Sequence, residues 1–230
     1  MAFDFIRTDI EEQKAKSRYR QLVCNNTTVP GNIIVVQGKT YLNFSSNDYL
    51  GLNNHSEVNK ALQEGSDKYG TCASSSSLVT GYHYAHQSLE DDICQWLNKP
   101  KCLLFSSGFS ANLAIFHALG KSDKSHFYLD KLSHASMIDG AYQRKATVKR
   151  FNHNNMEQLN NLLSKSSTIP DKLIASEGVF SMDGCQAKVS ELAKIARNQD
   201  AWLYLDDAHS IGVIGDKGEG SNSLENIDIT

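Results

Sequence analysis

The feature that most constrains the fold is a repeated alternation of short apolar runs with stretches of helical periodicity. The runs include "HFYLD", "TVKRF", "KLIASEG" and "AWLYLDD". They are separated by segments such as "VSELAKIARNQ", in which apolar residues recur every three or four positions. Runs that are largely apolar, without polar alternation, are typical of parallel strands covered on both faces. The sequence therefore predicts an α/β fold with a mainly parallel sheet covered by helices, and "CLLF" is predicted as a further strand.

The N-terminal part has a different pattern. Residues 5–22 carry many charges and few apolar positions, which favours an amphipathic helix. "NIIVVQGKTYLNF" alternates around a Gln-Gly-Lys turn and predicts a β-hairpin. We therefore divide the chain into an N-terminal helix and hairpin segment, residues 1–45, and a larger α/β domain, residues 46–230.

Composition excludes several classes of function. A net charge of -3 with no basic block gives no electrostatic reason to expect nucleic acid. No apolar run approaches the ~20 residues of a membrane helix, and the start lacks the apolar core of a signal peptide, so a cytoplasmic location is predicted. The five cysteines form no C-x-x-C pair and their number is odd, which indicates neither a zinc knuckle nor a disulfide framework.

Polar residues cluster where the predicted strands end. "SSGFS" follows "CLLF", "DKLSH" follows "HFYL", "SEGVFSMDG" follows "KLIA" and "DDAH" follows "AWLYL". In open parallel sheets, ligands bind beyond the carboxyl ends of the strands. The sequence therefore predicts one ligand site at this edge of the sheet.

Two of these clusters suit an anionic, planar ligand. Gly108 lets the backbone approach closely, and the helix that starts near Phe109 presents unpaired N–H groups to a phosphate. A plain turn with serine caps explains the same residues. His134, just past a strand, either caps the next helix or lies flat against a planar ring.

The last apolar run ends in Asp206, Asp207 and His209. A carboxylate in a dry site stabilises a protonated ring nitrogen, and a histidine three residues later can donate to a phenolic oxygen across the same ring. Pyridoxal 5'-phosphate (PLP) has both features and a phosphate. The same three side chains suit a divalent metal ion, and their spacing does not separate the two alternatives.

Motifs along most of the chain resemble the α-oxoamine synthases. "EGVFSMDG" and "DDAH" are specific to that family, and "NFSSNDYLGL" favours its biotin-biosynthetic member over glycine C-acetyltransferase or 5-aminolevulinate synthase. The segments that carry the resemblance are, in order, "YLNFSSNDYLGL", "HQSLEDDICQWL", "LLFSSGFSAN", "DKLSHASMIDGA", "RFNHNNMEQL", "EGVFSMDG" and "YLDDAHSIGVIGDKGEGS".

The resemblance implies a fold-type I PLP-dependent transferase that forms a homodimer with active sites at the subunit interface. It implies PLP as the cofactor and no metal. By the matched motifs, Gly108 and Phe109 hold the phosphate through backbone N–H groups, His134 stacks on the ring, Asp206 pairs with the ring nitrogen, His209 bonds the ring oxygen, and Ser181 lies beside it.

The resemblance also implies the reaction. L-alanine condenses with a pimeloyl thioester, carried by coenzyme A or a carrier protein, and loss of carbon dioxide gives 8-amino-7-oxononanoate. His134, Asp206 and His209 take the catalytic roles. Asn47 of "SSNDYLG" and Arg20 of "RYRQL" correspond to substrate-binding positions, together with His134.

Two departures from the family pattern stand out. "YGTCASSSSLVTG" has Cys72, Ala73 and four serines where the family usually has glycines, so the loop conformation or the acyl-chain contacts are expected to differ. None of the lysines matches the family's Schiff-base motif. We therefore expect that lysine and a C-terminal domain beyond residue 230, and expect the 230-residue chain to be inactive alone and to bind PLP weakly and without a covalent link.

Two other classes of function stay open at this point. One is a non-catalytic partner subunit with a PLP fold, although such a scaffold has no need of His134, Asp206 and His209. The other is a metal-dependent hydrolase that uses Asp206, Asp207 and His209.

Overall fold

The structure is a computed structural model that describes residues 2–25, 27 and 32–224. The chain divides into two compact units, Met1–Asn59 and Lys60–Thr230. The division predicted from the sequence at residue 45 stays a prediction.

The first unit begins with helix α1, Phe5–Ala15. The helix is shorter than the predicted residues 5–22. After the last helical residue the backbone turns left-handed at Ser17, whose φ is 53°. Because an L-residue in that conformation cannot continue a right-handed helix, α1 ends there.

The predicted hairpin is confirmed. Strands β1, Ile33–Val36, and β2, Lys39–Leu42, pair antiparallel. Gln37 and Gly38 connect them with φ values of 49° and 74°. Positive φ at both central residues is the requirement of the two-residue turn whose twist matches that of the strands.

Most of the remaining helices match the predicted periodic segments. Helix α2 was not predicted, because its apolar positions are few. The structure buries none of its residues. Among the described residues, no helix is both long and apolar enough to cross a membrane. The helices are α2 (Ser56–Tyr69), α3 (Tyr84–Leu97), α4 (Gly108–Leu119), α5 (Ala135–Tyr142), α6 (Met156–Ser164) and α7 (Val189–Asn198).

The second unit contains a four-stranded sheet whose strands are all parallel, as predicted. Their spatial order is β4-β3-β5-β6. Because the strands are parallel, their carboxyl ends share one edge of the sheet. Each strand is followed there by a helix or a polar loop. The strands are β3 (Ser125–Asp130), β4 (Thr147–Phe151), β5 (Asp171–Glu177) and β6 (Trp202–Asp206).

The sheet is buried on both faces, which explains why its strands are apolar without alternation. Tyr128 and Ile174 pack in one cluster with residues of α6 and α7. Phe127 and Leu173, their chain neighbours, pack in a second cluster with residues of α4 and α5. Successive residues of a strand point to opposite faces, so each neighbouring pair supplies both layers of the core.

The prediction of a strand at "CLLF" is wrong. Residues 101–105 form no strand, and Leu103 is 77% exposed. A strand is defined by ladder hydrogen bonds to a neighbour. The described part of the chain places no strand beside this segment, so its apolar residues alone do not make it one. The polar cluster "SSGFS" therefore reaches the site from a loop, and only three of the predicted clusters follow strands.

Candidate active site

Asp206 is the last residue of β6 and lies at the carboxyl edge of the sheet. It stands opposite Glu177, the last residue of β5, in the parallel register. One carboxylate oxygen accepts a hydrogen bond from Asn112 Nδ2 at 2.8 Å, and the other accepts the backbone N–H of Ala208 at 3.1 Å. The carboxylate is therefore held in a fixed orientation by donors from two elements.

Asn112 of α4 connects the elements that surround this carboxylate. Its side chain is buried, with 3% of the residue exposed. Besides Asp206, its amide nitrogen donates to Ser136 Oγ at 2.8 Å, and its amide oxygen accepts the hydroxyl of Tyr204. Burial and the nearby Asp206 raise the pKa of Tyr204 to about 12, which keeps the phenol protonated as the donor. Asn112 thereby ties α4 to α5 and β6.

His134 is the residue that caps helix α5. Its Nδ1 accepts the backbone N–H of Ser136 at 3.2 Å and lies 2.6 Å from Ser136 Oγ. Because Ser136 Oγ already accepts from Asn112, its own hydrogen goes to Nδ1. These contacts assign the ring proton of the neutral imidazole to Nε2. A continuous set of hydrogen bonds thus runs from His134 through Ser136 and Asn112 to Asp206.

The start of helix α4 offers a site for an anion. Ser107 caps it, and its Oγ accepts the backbone N–H of Ser110 at 3.1 Å. Helix geometry leaves the N–H groups of Gly108 and Phe109 without intrahelical acceptors. A Cβ built on Gly108 would meet no atom within 4 Å, so the space beside these donors is open. Asn112 lies one helical turn further on, about 6 Å along the axis.

Glu177 joins two of the predicted site residues through their backbones. It is buried, with 3% exposed, and the N–H groups of Ser181 and His134 interact with its carboxylate. Burial first, and then the negative charge of Asp206, raise the pKa of Glu177 to about 7. The hydroxyl-bearing residue Ser181 itself is exposed in the turn that follows β5.

Asp207 has a structural environment distinct from that of Asp206. Its carboxylate accepts the hydroxyls of Ser210 and Ser221, each at 2.5 Å, and the backbone N–H of Ser221 at 3.1 Å. Each of the two neighbouring carboxylates therefore has its own set of protein donors. This arrangement disfavours the metal-dependent hydrolase, which needs both carboxylates to face a single ion.

The structure joins some of the predicted site residues by contacts and leaves others separate. His134, Ser181 and Asp206 meet through the network just described, and Gly108 and Phe109 begin the same helix as Asn112. His209 is partly buried in the turn that follows Asp206. Arg20 and Asn47 are exposed residues of the first unit. The roles of all these residues stay predictions.

Sequence reasoning missed Asn112 as a site residue and gave Glu177 no role. Both signals were present, since Asn112 ends the motif "SSGFSAN" and Glu177 begins "EGVFSMDG". A polar residue one turn into an apolar helix, as Asn112 is, predicts a buried hydrogen-bonding role. Its partners Asp206 and Ser136 lie 94 and 24 residues away in the chain, so only the fold identifies them.

A cavity of about 350 Å³ lies at the other edge of the sheet. Its lining includes the first residues of three strands, Ser125, Asp171 and Trp202. The polar network lies at the last residues of the same strands. The cavity is therefore separate from the candidate site.

The fold and the site define a class of protein in which a parallel α/β sheet carries an anion site and a fixed carboxylate at its carboxyl edge. Solved structures of that class are similar to this chain. A serine palmitoyltransferase from S. paucimobilis with bound PLP and myriocin has a TM-score of 0.87 and 28% identity, over 97% of this chain and 56% of that one. An 8-amino-7-oxononanoate synthase from Francisella tularensis has a TM-score of 0.65 and 34% identity, over 78% of this chain and 49% of that one.

Curated relatives agree with this class. The 8-amino-7-oxononanoate synthase of Vibrio atlanticus is 44% identical over 94% of this chain, and that of Pectobacterium atrosepticum is 49% identical over 81% of it. The sequence profile "Aminotransferase class I and II" matches residues 39–227. The chain belongs to this family, and the predicted fold-type I class is confirmed. The chain spans about half the length of the curated relatives it matches.

Proposed function

We propose that the protein carrying this chain is a PLP-dependent acyltransferase that condenses L-alanine with a pimeloyl thioester to 8-amino-7-oxononanoate, a step of biotin biosynthesis. The observation that carries the proposal is the 44–49% identity to curated 8-amino-7-oxononanoate synthases over most of the chain. The hydrogen-bonded site described above supports it, because Asp206 and His134 are held in one network with Asn112 of helix α4 at the carboxyl edge of the sheet.

The residues at the edge of the sheet fit PLP. The open space beside Gly108 and the free first-turn N–H groups of α4 suit a phosphate. The fixed carboxylate of Asp206 suits a cationic ring nitrogen, and the exposed ring of His134 suits a planar aromatic face. When bound, PLP supplies an electron sink for the carbanion that forms at the α-carbon of the amino acid.

Asp206 keeps the ring nitrogen protonated in this proposal. Its carboxylate would accept the N–H of the ring, and the positive charge thereby kept on the ring would make it a better electron sink. Asn112 would help to fix the orientation of this carboxylate, since its amide donates to Oδ2 while the Ala208 N–H donates to Oδ1. Each carboxylate oxygen has a second lone pair, which leaves room for the ring.

The other residues position the cofactor and substrates. Gly108 and Phe109 bind the phosphate, and His134, with its proton on Nε2, lies against the ring and faces the substrate. His209 donates to the ring oxygen. Ser181 lies beside that oxygen on the turn that Glu177 anchors. Asn47 helps to orient the carboxylate of the amino acid, and Arg20 binds substrate.

The proposal includes a homodimer with its active sites at the subunit interface and a cytoplasmic location. The acyl group is carried by coenzyme A or by a carrier protein. Glycine C-acetyltransferase, a related α-oxoamine synthase, is the alternative that uses the same site with a different pair of substrates. The motif "NFSSNDYLGL" favours the pimeloyl reaction.

The test is a condensation assay with the full-length protein loaded with PLP. L-alanine with pimeloyl-CoA or a pimeloyl carrier protein is compared with glycine and acetyl-CoA, and products are identified by mass spectrometry. We expect 8-amino-7-oxononanoate from the first pairing and little product from the second. A preference for glycine and acetyl-CoA would instead identify the glycine C-acetyltransferase.

The role of Asp206 is tested in the same assay. Asp206→Asn keeps the size of the side chain but removes its charge, so we expect PLP still to bind while condensation falls by at least about 100-fold. Normal turnover by this variant would show that Asp206 does not pair with the ring nitrogen.

A further inference from the structure

A cluster of three potential metal ligands lies apart from the network that holds Asp206. A ring nitrogen of His153, a carboxylate oxygen of Asp183 and the sulfur of Cys185 all lie within 4.8 Å of one another. His153 follows strand β4, whereas Asp183 and Cys185 belong to the turn after β5. The two segments are brought together only by the fold.

The imidazole of His153 is held in one orientation by a buried carboxylate. Its Nδ1 lies 3.2 Å from Asp130 Oδ1, and Asp130 is 1% exposed. The backbone N–H groups of Leu132 and Asn154 donate to the same carboxylate, at 2.8 Å and 2.9 Å. Phe180 packs edge-on against the ring, with 4.5 Å between centroids. Asp130 and Phe180 therefore fix the imidazole before any ligand binds.

This arrangement is the one that metal-binding histidines use. A carboxylate that accepts the N–H of one ring nitrogen fixes the tautomer and makes the other nitrogen a better ligand. With the proton on Nδ1, Nε2 of His153 carries the free lone pair. Nε2 lies 3.3 Å from the side-chain amide nitrogen of Asn154, which also donates to the Gln186 carbonyl oxygen at 3.1 Å. A metal ion can replace that long contact without leaving the amide unpaired.

The two other ligands have freedom to adjust. Asp183 and Cys185 are both exposed, and the backbone N–H of Cys185 donates to Asp183 Oδ1 at 3.0 Å. In a tetrahedral zinc site with bonds of about 2.0–2.3 Å, ligand atoms are roughly 3.5 Å apart. The ligand atoms already lie within 4.8 Å of one another, so a tetrahedral site requires only small movements of these two exposed side chains toward the fixed imidazole.

We propose that His153, Asp183 and Cys185 form a binding site for a borderline divalent cation such as Zn²⁺, with water as the fourth ligand. One nitrogen, one thiolate and one carboxylate are the donor set of zinc, and magnesium and calcium, which require oxygen ligands, do not suit it. The bound ion links the loop after β4 to the turn that carries Ser181.

Cobalt provides a direct test, because Co²⁺ substitutes for Zn²⁺ and a cobalt–thiolate bond absorbs in the near ultraviolet. The purified chain is titrated with Co²⁺, and difference spectra against the metal-free chain cancel any cofactor absorption. We expect a sulfur-to-cobalt band that saturates at one ion per chain and that added Zn²⁺ abolishes. Absence of this band would overturn the proposal.

Variants assign the band to this cluster. Cys185→Ser should abolish it, and His153→Gln should weaken binding at least about tenfold, while circular dichroism confirms that both variants fold. Cys72→Ser removes an exposed thiol elsewhere and should leave the band and the affinity unchanged. A band that survives Cys185→Ser, or that disappears with Cys72→Ser, would show that the cobalt binds at another thiol.

Discussion

At the residue scale, the site depends on side chains whose partners are far away in the chain. Asn112 donates to Asp206 and Ser136 and accepts from Tyr204, so a single amide makes three of its four possible hydrogen bonds. Glu177 is buried beside Asp206, and its carboxylate accepts hydrogen bonds from backbone N–H groups. Substitutions at these two residues test whether the network behaves as its geometry implies.

Asn112→Asp changes one donor group into an acceptor at nearly constant volume. The variant places a second carboxylate beside Asp206, so we expect the free energy of unfolding to fall by about 1–3 kcal/mol at pH 8. Of two adjacent carboxylates, one keeps its proton in the folded state, and the loss should therefore shrink towards pH 5. Urea unfolding at both pH values measures this.

An exposed asparagine provides the control for that change. Asn59→Asp makes the same substitution on the surface of helix α2 and should alter stability by less than about 0.5 kcal/mol. If Asn112→Asp were equally harmless, the amide of Asn112 would not be donating to Asp206.

Glu177 gives a prediction about pH. Its folded pKa of about 7 lies above the ordinary 4.5, so between these values the folded state holds a proton that the unfolded state has released. Its contribution to stability therefore falls as pH rises from about 4.5 to about 7 and is lost above 7. Glu177→Gln should remove this slope, which is at most about 1.4 kcal/mol per pH unit. If the free energies of unfolding of the wild type and of Glu177→Gln changed in parallel from pH 5 to pH 8, this prediction would be contradicted.

At the element scale, strands and turns place the side chains at the edge of the sheet. The turn after β5 is closed by hydrogen bonds of Gly178 to Asp206 and Ala187 and by a left-handed Gly184. The loop with the serine run keeps a left-handed residue without glycine, since Ser74 has a φ of 60°. The turn after β5 packs closely against the loop after β6. The loop with the serine run contains a π-helical turn, Ser77–Gly81.

Gly178 is the point of closest packing between these loops. A Cβ at this position would collide with Asp207 Oδ1 and Ser221 Oγ. Gly178→Ala should therefore lower the free energy of unfolding by about 1–3 kcal/mol. Gly65 lies in α2, where a Cβ meets nothing within 4 Å, and Gly65→Ala should raise it by up to about 1 kcal/mol. Denaturant unfolding compares the two, and a stable Gly178→Ala variant would refute the proposed packing.

At the scale of the whole molecule, much apolar surface in the second unit is exposed. Residues 101–105 have no strand partner among the residues described, and Leu103 and Phe105 are exposed. Apolar, unpaired extended segments are sites of self-association. The chain spans about half the length of the curated relatives it matches.

Leu103→Glu tests whether this segment drives association. We expect the variant to remain monodisperse at protein concentrations at which the wild-type chain aggregates, with an unchanged unfolding transition. Light scattering over a concentration series measures it. Leu62→Glu, at a similarly exposed position of α2, is the control and should change aggregation less. Equal protection by both variants would mean that added charge, and not this segment, is responsible.

The sequence by itself determined the α/β class, the parallel sheet and the residues at the strand ends. Apolar runs such as the one that ends in Asp206 reflect strands buried on two faces, and the periodic segments between them reflect helices buried on one face. Both patterns can be recognised in the local sequence. Motif resemblance indicated PLP and its ligands. The prediction of a strand from the apolar run "CLLF" was wrong, because a strand needs a neighbouring strand to pair with and an apolar sequence does not supply one.

Only the tertiary structure decided which of those side chains act together. It joined His134 to Asp206 through Ser136 and Asn112, gave Asp207 its own set of donors, and brought His153 beside Cys185. The physical reason is that hydrogen bonds and metal coordination act over about 2–3 Å in space, between groups whose separation along the chain is set by the path of the backbone through the sheet.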